Sequence, residues 1–135
     1  MAIEVTSAVL EALLAEACAA HPRECCGLLF GTETQITAHQ PAANVHQAPE
    51  TRFEIDPQAL VDAHRAMRTG GQRLAGYYHS HPSGPPEPSA TDIALAAPDG
   101  MVWAIVGEGR VTLWRATDSG GSDGLQPLPY RVTHA

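Results

Sequence analysis

Four prolines fall within the seven positions from Pro82 to Pro88, in the stretch YYHSHPSGPPEPSATD, and this segment divides the chain more firmly than any other. Proline has no N–H to give to a helix or a sheet ladder, and it pushes the residue before it into extended backbone, so neither kind of element continues through. Regular structure must stop near His81 and restart near Ser89. Upstream, RLAGYYHSH reads as a strand; downstream, SATDIALAA opens as a short helix with Ser89 in the capping position. The stiff connector holds the end of that strand and the start of that helix in a set relation.

The rest of the chain alternates between the two periodicities. Thr6 or Ser7 can cap a helix running to about His21, with Val9, Leu10, Leu13, Leu14 and Ala17 on one stripe and Pro22 as its stop. CCGLLFGT is a short apolar run, QITAHQPAANV a more exposed strand interrupted by Pro41, and the alternating TRFEID, residues 51–56, a further strand. PQALVDAHRAMRTGG predicts a helix that starts at Pro57, carries Leu60, Val61, His64 and Met67 on its apolar stripe, and ends at Gly70-Gly71. MVWAIVG and RVTLWRA predict a hairpin, SGGSDG a flexible turn and LPYRVTH a last strand. The order α-β-β-β-α-β-α-β-β-β predicts an α/β fold, a mixed sheet packed by helices, without internal repeats.

A chain of 135 residues suffices for one hydrophobic core and is too short for two ordinary ones, so a single domain over residues 1–135 is expected. The formal net charge of −7 argues against broad binding to nucleic acid or anionic membrane, both of which need a basic face. Glu4 stands where a secretory signal needs positive charge, which points to a cytoplasmic protein. Cys18, Cys25 and Cys26 are an odd count with two adjacent, a poor disulfide framework.

His79 and His81 lie two apart at the end of the predicted strand, so their side chains share a face and can reach one point, while Ser80 points the other way. Asp92 falls in the first turn of the next helix, where the helix dipole favours its ionised form. Two imidazoles and a carboxylate leave one tetrahedral position of Zn²⁺ open for water, as in catalytic zinc sites. Each feature also has an ordinary reading: a His-x-His pair on an exposed strand end, a capping box from Ser89 to Asp92, and a proline-rich connector.

Taken jointly, His-x-His-Pro, six residues and then Ser-x-x-Asp resemble the signature of the JAMM (MPN-plus) metalloprotease family, with every position filled. That pattern also has a glutamate at the start of the strand after the first helix, and Glu24 in HPRECCGLLFG stands there. The resemblance implies a helix-sandwiched sheet similar to that of cytidine deaminases, with His79, His81 and Asp92 as zinc ligands. It implies Glu24 as the acid–base that moves the proton of the attacking water to the departing amine, and Ser89 as a hydrogen-bond donor to the oxyanion. Compact bacterial-type members suggest as substrate the C-terminal tail of a ubiquitin-like, sulfur-carrier type protein. A deubiquitinase, a hydrolase of cell-wall peptides and a non-catalytic MPN scaffold are the alternatives. A zinc deaminase is set aside, because the sequence has neither its His-x-Glu nor its Pro-Cys-x-x-Cys.

Cys25 and Cys26 adjoin Glu24, yet strand cysteines most often pack as small hydrophobes, with Cys26 on the face of Glu24 and Cys25 on the other. His21, His39, His46, His64 and His134 have no ligand spacing among themselves and receive no role. Asn44 and Phe53 are assigned to loop structure and core, with Asn44 also able to line a substrate channel.

Overall fold

The computed structural model describes residues 2–117 and 124–134. In chain order the elements are β1 (Ile3–Thr6), α1 (Ser7–Ala20), β2 (Cys26–Gly31), β3 (Gln35–Ala42), α2 (Pro57–Arg68), β4 (Leu74–Ser80), α3 (Ala90–Leu95), β5 (Val102–Gly107), β6 (Arg110–Ala116), β7 (Leu125–Pro127) and β8 (Tyr130–Thr133). One mixed sheet holds the eight strands in the order β7-β6-β5-β4-β2-β3-β1-β8. Its parallel pairs are β1 with β3, β1 with β8 and β4 with β5, and the other neighbours run antiparallel. The α/β architecture read from the element order is the one observed.

β7 and β8 sit at opposite ends of that order although only Leu128 and Pro129 separate them, so the sheet must curl until its margins meet. Three hydrogen bonds mark the seam. Leu128 N donates to Leu113 O at 2.9 Å, Tyr130 Oη to Val111 O at 2.7 Å, and Ile3 N to Pro129 O at 3.1 Å. The concave face wraps α1, whose Val9 and Leu13 are buried among Val5, Leu29, Ile36, Ala104 and Val111. Thr6 caps this helix as expected, its hydroxyl accepting from Val9 N at 3.3 Å.

On the convex face α2 lays Ala59, Leu60, Ala63 and Met67 over Leu28, Phe30 and Leu74. The predicted stripe is corrected by about a fifth of a turn: Val61 and His64 face solvent, because the two alanines let the helix lie closer along a neighbouring line. Three further corrections concern strands. β1 was hidden by its length of four residues directly against a helix cap. Residues 51–56 form no strand: a turn ends there, with Thr51 N and Arg52 N both donating to Ala48 O, and the rest is irregular apart from a lone bridge joining Asn44 to Ile55. The predicted last strand, LPYRVTH, is β8 at Tyr130–Thr133, and the short β7 before it was not expected; Leu128 and Pro129 cross from one margin to the other. Of the expected turn SGGSDG only Gly124 lies among the described residues. The β5–β6 hairpin is present, with Glu108 and Gly109 at φ of 53° and 73°, the left-handed pair that a two-residue connection requires.

Candidate metal centre and cleft

β4 runs through the middle of the sheet, where His79 stands opposite Cys26 of β2 on one side and Ile105 of β5 on the other. Alternation sends Tyr78 into the core around α1 and His79 to the opposite face, where it is only 1% exposed. His81 lies just beyond the strand, but its N–H still donates to Val106 O at 2.7 Å, so the pleat persists and both imidazoles emerge on one side.

The loop that follows is built in layers. Pro86 is buried, and Gly107 leaves room for the loop, since a Cβ there would stand 2.7 Å from Gly84 O. Trp114 Nε1 donates to Thr112 Oγ1 at 2.9 Å, and that hydroxyl donates to Pro86 O. The loop then delivers Ser89 and Asp92 as a full capping box: Asp92 N donates to Ser89 Oγ and Ser89 N to Asp92 Oδ2, each at 3.0 Å.

His79 Nε2, His81 Nε2 and Asp92 Oδ2 consequently form a small triangle with sides of 3.1, 3.1 and 3.2 Å. A tetrahedral ion bonded at about 2.0–2.1 Å holds its ligand atoms roughly 3.3 Å apart, so the triangle fits such an ion with almost no rearrangement. The donors also suit it. His81 Nδ1 lies 2.9 Å from Pro85 O, to which it donates, leaving the Nε2 lone pair to face the centre. Burial lowers the His79 pKa despite the neighbouring carboxylate, keeping that ring neutral. Burial also lowers His81, but Asp92 and Pro85 O outweigh it and hold the group above its ordinary value. For Asp92 burial works toward a higher value, yet hydrogen bonds from His79, His81 and Ser89 N keep it far below the usual carboxylate range. Among the described residues this trio is the group able to hold a metal ion.

The trio opens on a cleft of about 560 Å³ whose walls include Glu24, Arg52, Phe53, His81, Ser89 and Asp92. Glu24, just before β2, is 8% exposed, with its N–H donating to Pro49 O at 2.7 Å and its carbonyl accepting from Asn44 Nδ2 at 3.0 Å. Burial pushes its carboxyl up to about 7, with His81 and Arg52 opposing and Asp92 adding to the rise. Four of the five residues singled out in the sequence, Glu24, His81, Ser89 and Asp92, therefore border one cavity, and the fifth, His79, lies buried behind them against His81 and Asp92.

Asn44 is saturated by loop structure. Its Nδ2 donates to Glu24 O and Arg52 O, each at 3.0 Å, and its Oδ1 accepts from His46 N and Glu54 N, each at 3.1 Å. Cys25 and Cys26 are buried, and burial raises their thiols to about 11 and 12, which leaves them protonated and non-nucleophilic at neutral pH. Sequence reasoning missed the surroundings of His79. Phe53 stacks on its imidazole and Trp103 meets it edge-on. Trp103 carried one legible sign, its place in an apolar strand beside the histidine-bearing one; Phe53 carried none.

Residues 6–117 match the family profile of prokaryotic homologues of the JAB domain. The chain belongs to this family. It is 39% identical over 94 residues to a desampylase of Haloferax volcanii, an alignment covering 67% of this chain and 68% of that protein. It is 33% identical over 100 residues to the CysO-cysteine peptidase of Mycobacterium tuberculosis, covering 73% and 68%. With the probable TtuB-protein conjugate cleaving protease of Thermus thermophilus it shares 41% identity over 75 residues, 56% of this JAB chain and half of that protein's length. A solution structure of a Desulfitobacterium hafniense protein superposes with a TM-score of 0.82 at 27% identity, over 98% of this chain and 94% of the other. A JAB1/MPN domain protein of Archaeoglobus fulgidus, at 18% identity and a TM-score of 0.63 over 98% of both chains, shares the fold.

Proposed function

We propose that this JAB-family chain is a zinc-dependent peptidase or isopeptidase that hydrolyses an amide bond at the C-terminal tail of a ubiquitin-like, sulfur-carrier type protein. The observation that carries the reading is the triangle of ligand atoms opening on a cleft that also contains a buried carboxyl with a pKa near 7. Relatives named for cleaving such conjugates, desampylase and CysO-cysteine peptidase among them, support the substrate class.

In this reading His79, His81 and Asp92 hold the ion. When bound, zinc supplies Lewis acidity and a water acidic enough to lose its proton near neutral pH. Glu24 takes that proton, for which its pKa near 7 is well matched, and returns it to the amine as the C–N bond breaks. Ser89 Oγ already accepts from Asp92 N, so its own hydrogen is available to the oxyanion of the tetrahedral intermediate, a bond worth about 3 kcal/mol in comparable sites. The whole chain acts as one metallopeptidase domain, and its three free cysteines suit the reducing cytoplasm.

Incubating the zinc-loaded protein with sulfur-carrier proteins bearing C-terminal extensions, read by intact mass, tests this directly. Release of the extension after the terminal Gly-Gly is the expected result. A protein that purifies without stoichiometric zinc and leaves every carrier intact would be a scaffold.

A further inference from the structure

The two histidines of the trio are oriented by different means. The plane of His81 is set by the bond from its Nδ1 to Pro85 O. Each hydrogen bond recorded for the His79 ring among the described residues runs through Nε2, the atom turned toward the centre. A strand fixes where the Cβ of a histidine lies, but the torsion that turns its ring is broad, so something else must choose the plane.

Rings do so here. Phe53 lies over the imidazole at a centroid distance of 4.2 Å and an interplanar angle of 15°. Trp103 closes the edge at 5.8 Å and 89°, and itself meets Phe53 at 6.1 Å and 75°. Turning the His79 ring would drive it into one or the other. Phe53 is in turn held by its neighbours: Arg52 N donates to Ala48 O, while Arg52 O and Glu54 N both bind the Asn44 amide. The positions before and after the phenylalanine are tied down, and its ring has little freedom to leave.

We infer that Phe53 is a positioning residue for the metal centre: its stacked ring fixes the plane of the His79 imidazole and thereby sets the affinity of the site for a divalent cation. This rests on the reading of His79 as a ligand. Partners that orient a ligating histidine typically change metal affinity ten- to a hundredfold when removed, and a stacked ring in the same role belongs in that range.

Phe53→Leu, Phe53→Met and Phe53→Tyr test it, with Zn²⁺ affinity measured by competition against a chromophoric chelator and the Co²⁺ absorption bands recorded for each folded protein. Leu and Met are expected to weaken Zn²⁺ binding about ten- to a hundredfold and to shift the Co²⁺ bands, whereas Tyr, which keeps the ring, restores both. At saturating zinc, kcat falls and KM holds. Unchanged affinity and spectra in a folded Leu or Met variant would reduce Phe53 to core packing, and a raised KM with affinity intact would reduce it to a wall of the cleft. Either result overturns the inference while leaving the metal centre standing. A parent protein that binds no Zn²⁺ would instead remove the centre itself. Should the Leu variant not fold, the Met variant, whose unbranched side chain adapts to an irregular space, decides.

Discussion

The corner from His79 to Asp92 and the loop between β3 and α2 both border the cleft, but they are held together in different ways. In the corner the restraints that set the ligand spacing are short in sequence: strand alternation, four prolines, a capping box, and a histidine bonded to a carbonyl four residues on, with Thr112 and Val106 adding anchors from the neighbouring strands. The loop is tied by the amide of Asn44, which joins residues from Glu24 to Glu54, together with a few backbone bonds around it, Val45 N to Glu54 O, Asp56 N to Ala43 O and Glu24 N to Pro49 O. The corner is therefore stiff largely by covalent construction and the loop by hydrogen bonds gathered round one side chain, so local change should spread through the loop and stay confined in the corner.

The largest effect is expected in the corner. His79→Ala or Asp92→Ala should abolish both bound zinc and hydrolysis, as read by metal analysis and carrier cleavage, and the Asp variant also loses the Ser89 N to Asp92 Oδ2 half of the α3 capping box. Retained stoichiometric zinc in either would break the assignment. Next is Glu24→Gln, which should keep the metal and lower kcat by about a hundred- to ten-thousandfold. Because the parent needs Glu24 ionised, its activity should rise with pH along a limb at or below about 7, since a nearby cation favours the carboxylate.

The same residue gives a stability test in metal-free protein. The folded carboxyl, at about 7 against an ordinary 4.5, takes up its proton more readily than the unfolded chain. The cost of ionising it is therefore absent below about pH 4.5, grows as pH rises, and is complete above about 7. Glu24→Gln should be more stable than the parent at pH 8 by up to roughly 3 kcal/mol and equal to it near pH 4, by thermal or urea unfolding.

Asn44→Ala sharpens the comparison. Two carbonyls and two N–H groups lose their partner, costing about 1–3 kcal/mol and slowing turnover through the displaced Glu24 and Phe53 while the corner still binds Co²⁺. Wild-type turnover in this variant would show that the loop does not position the site. Thr112→Val is the mildest. It unties Pro86 O and Trp114 Nε1, costs about 1 kcal/mol and, because the prolines remain, should barely move metal affinity.

This contrast also explains what could be read from the sequence. The corner was legible because its determinants are residue types at fixed short spacings, and alternation alone placed His79 and His81 together. Glu24 was reached only through a family resemblance, since nothing local distinguishes it from a surface acid at a strand mouth. Residues 51–56 were misread because TRFEID alternates as a strand does while the N–H groups of Thr51 and Arg52 are taken by Ala48 O and that of Glu54 by the Asn44 side chain. The stack of Phe53 on His79 was invisible for the same reason, joining residues 26 positions apart through a loop without periodicity. The α2 stripe was displaced because hydropathy ranks valine above alanine, whereas close packing chose the smaller side chain.

The ladder between β1 and β8 has a mechanical corollary. β1 and β8 run parallel, with Ile3 beside Tyr130 and Thr6 beside Thr133, so tension applied through Ile3 and Thr133 pulls the two strands lengthwise past each other. Their ladder is then loaded in shear, all bonds sharing the force, instead of being peeled one bond at a time. A handle at each of these positions would find the molecule resisting extension at its margins before the histidine-bearing strand at its centre felt any strain.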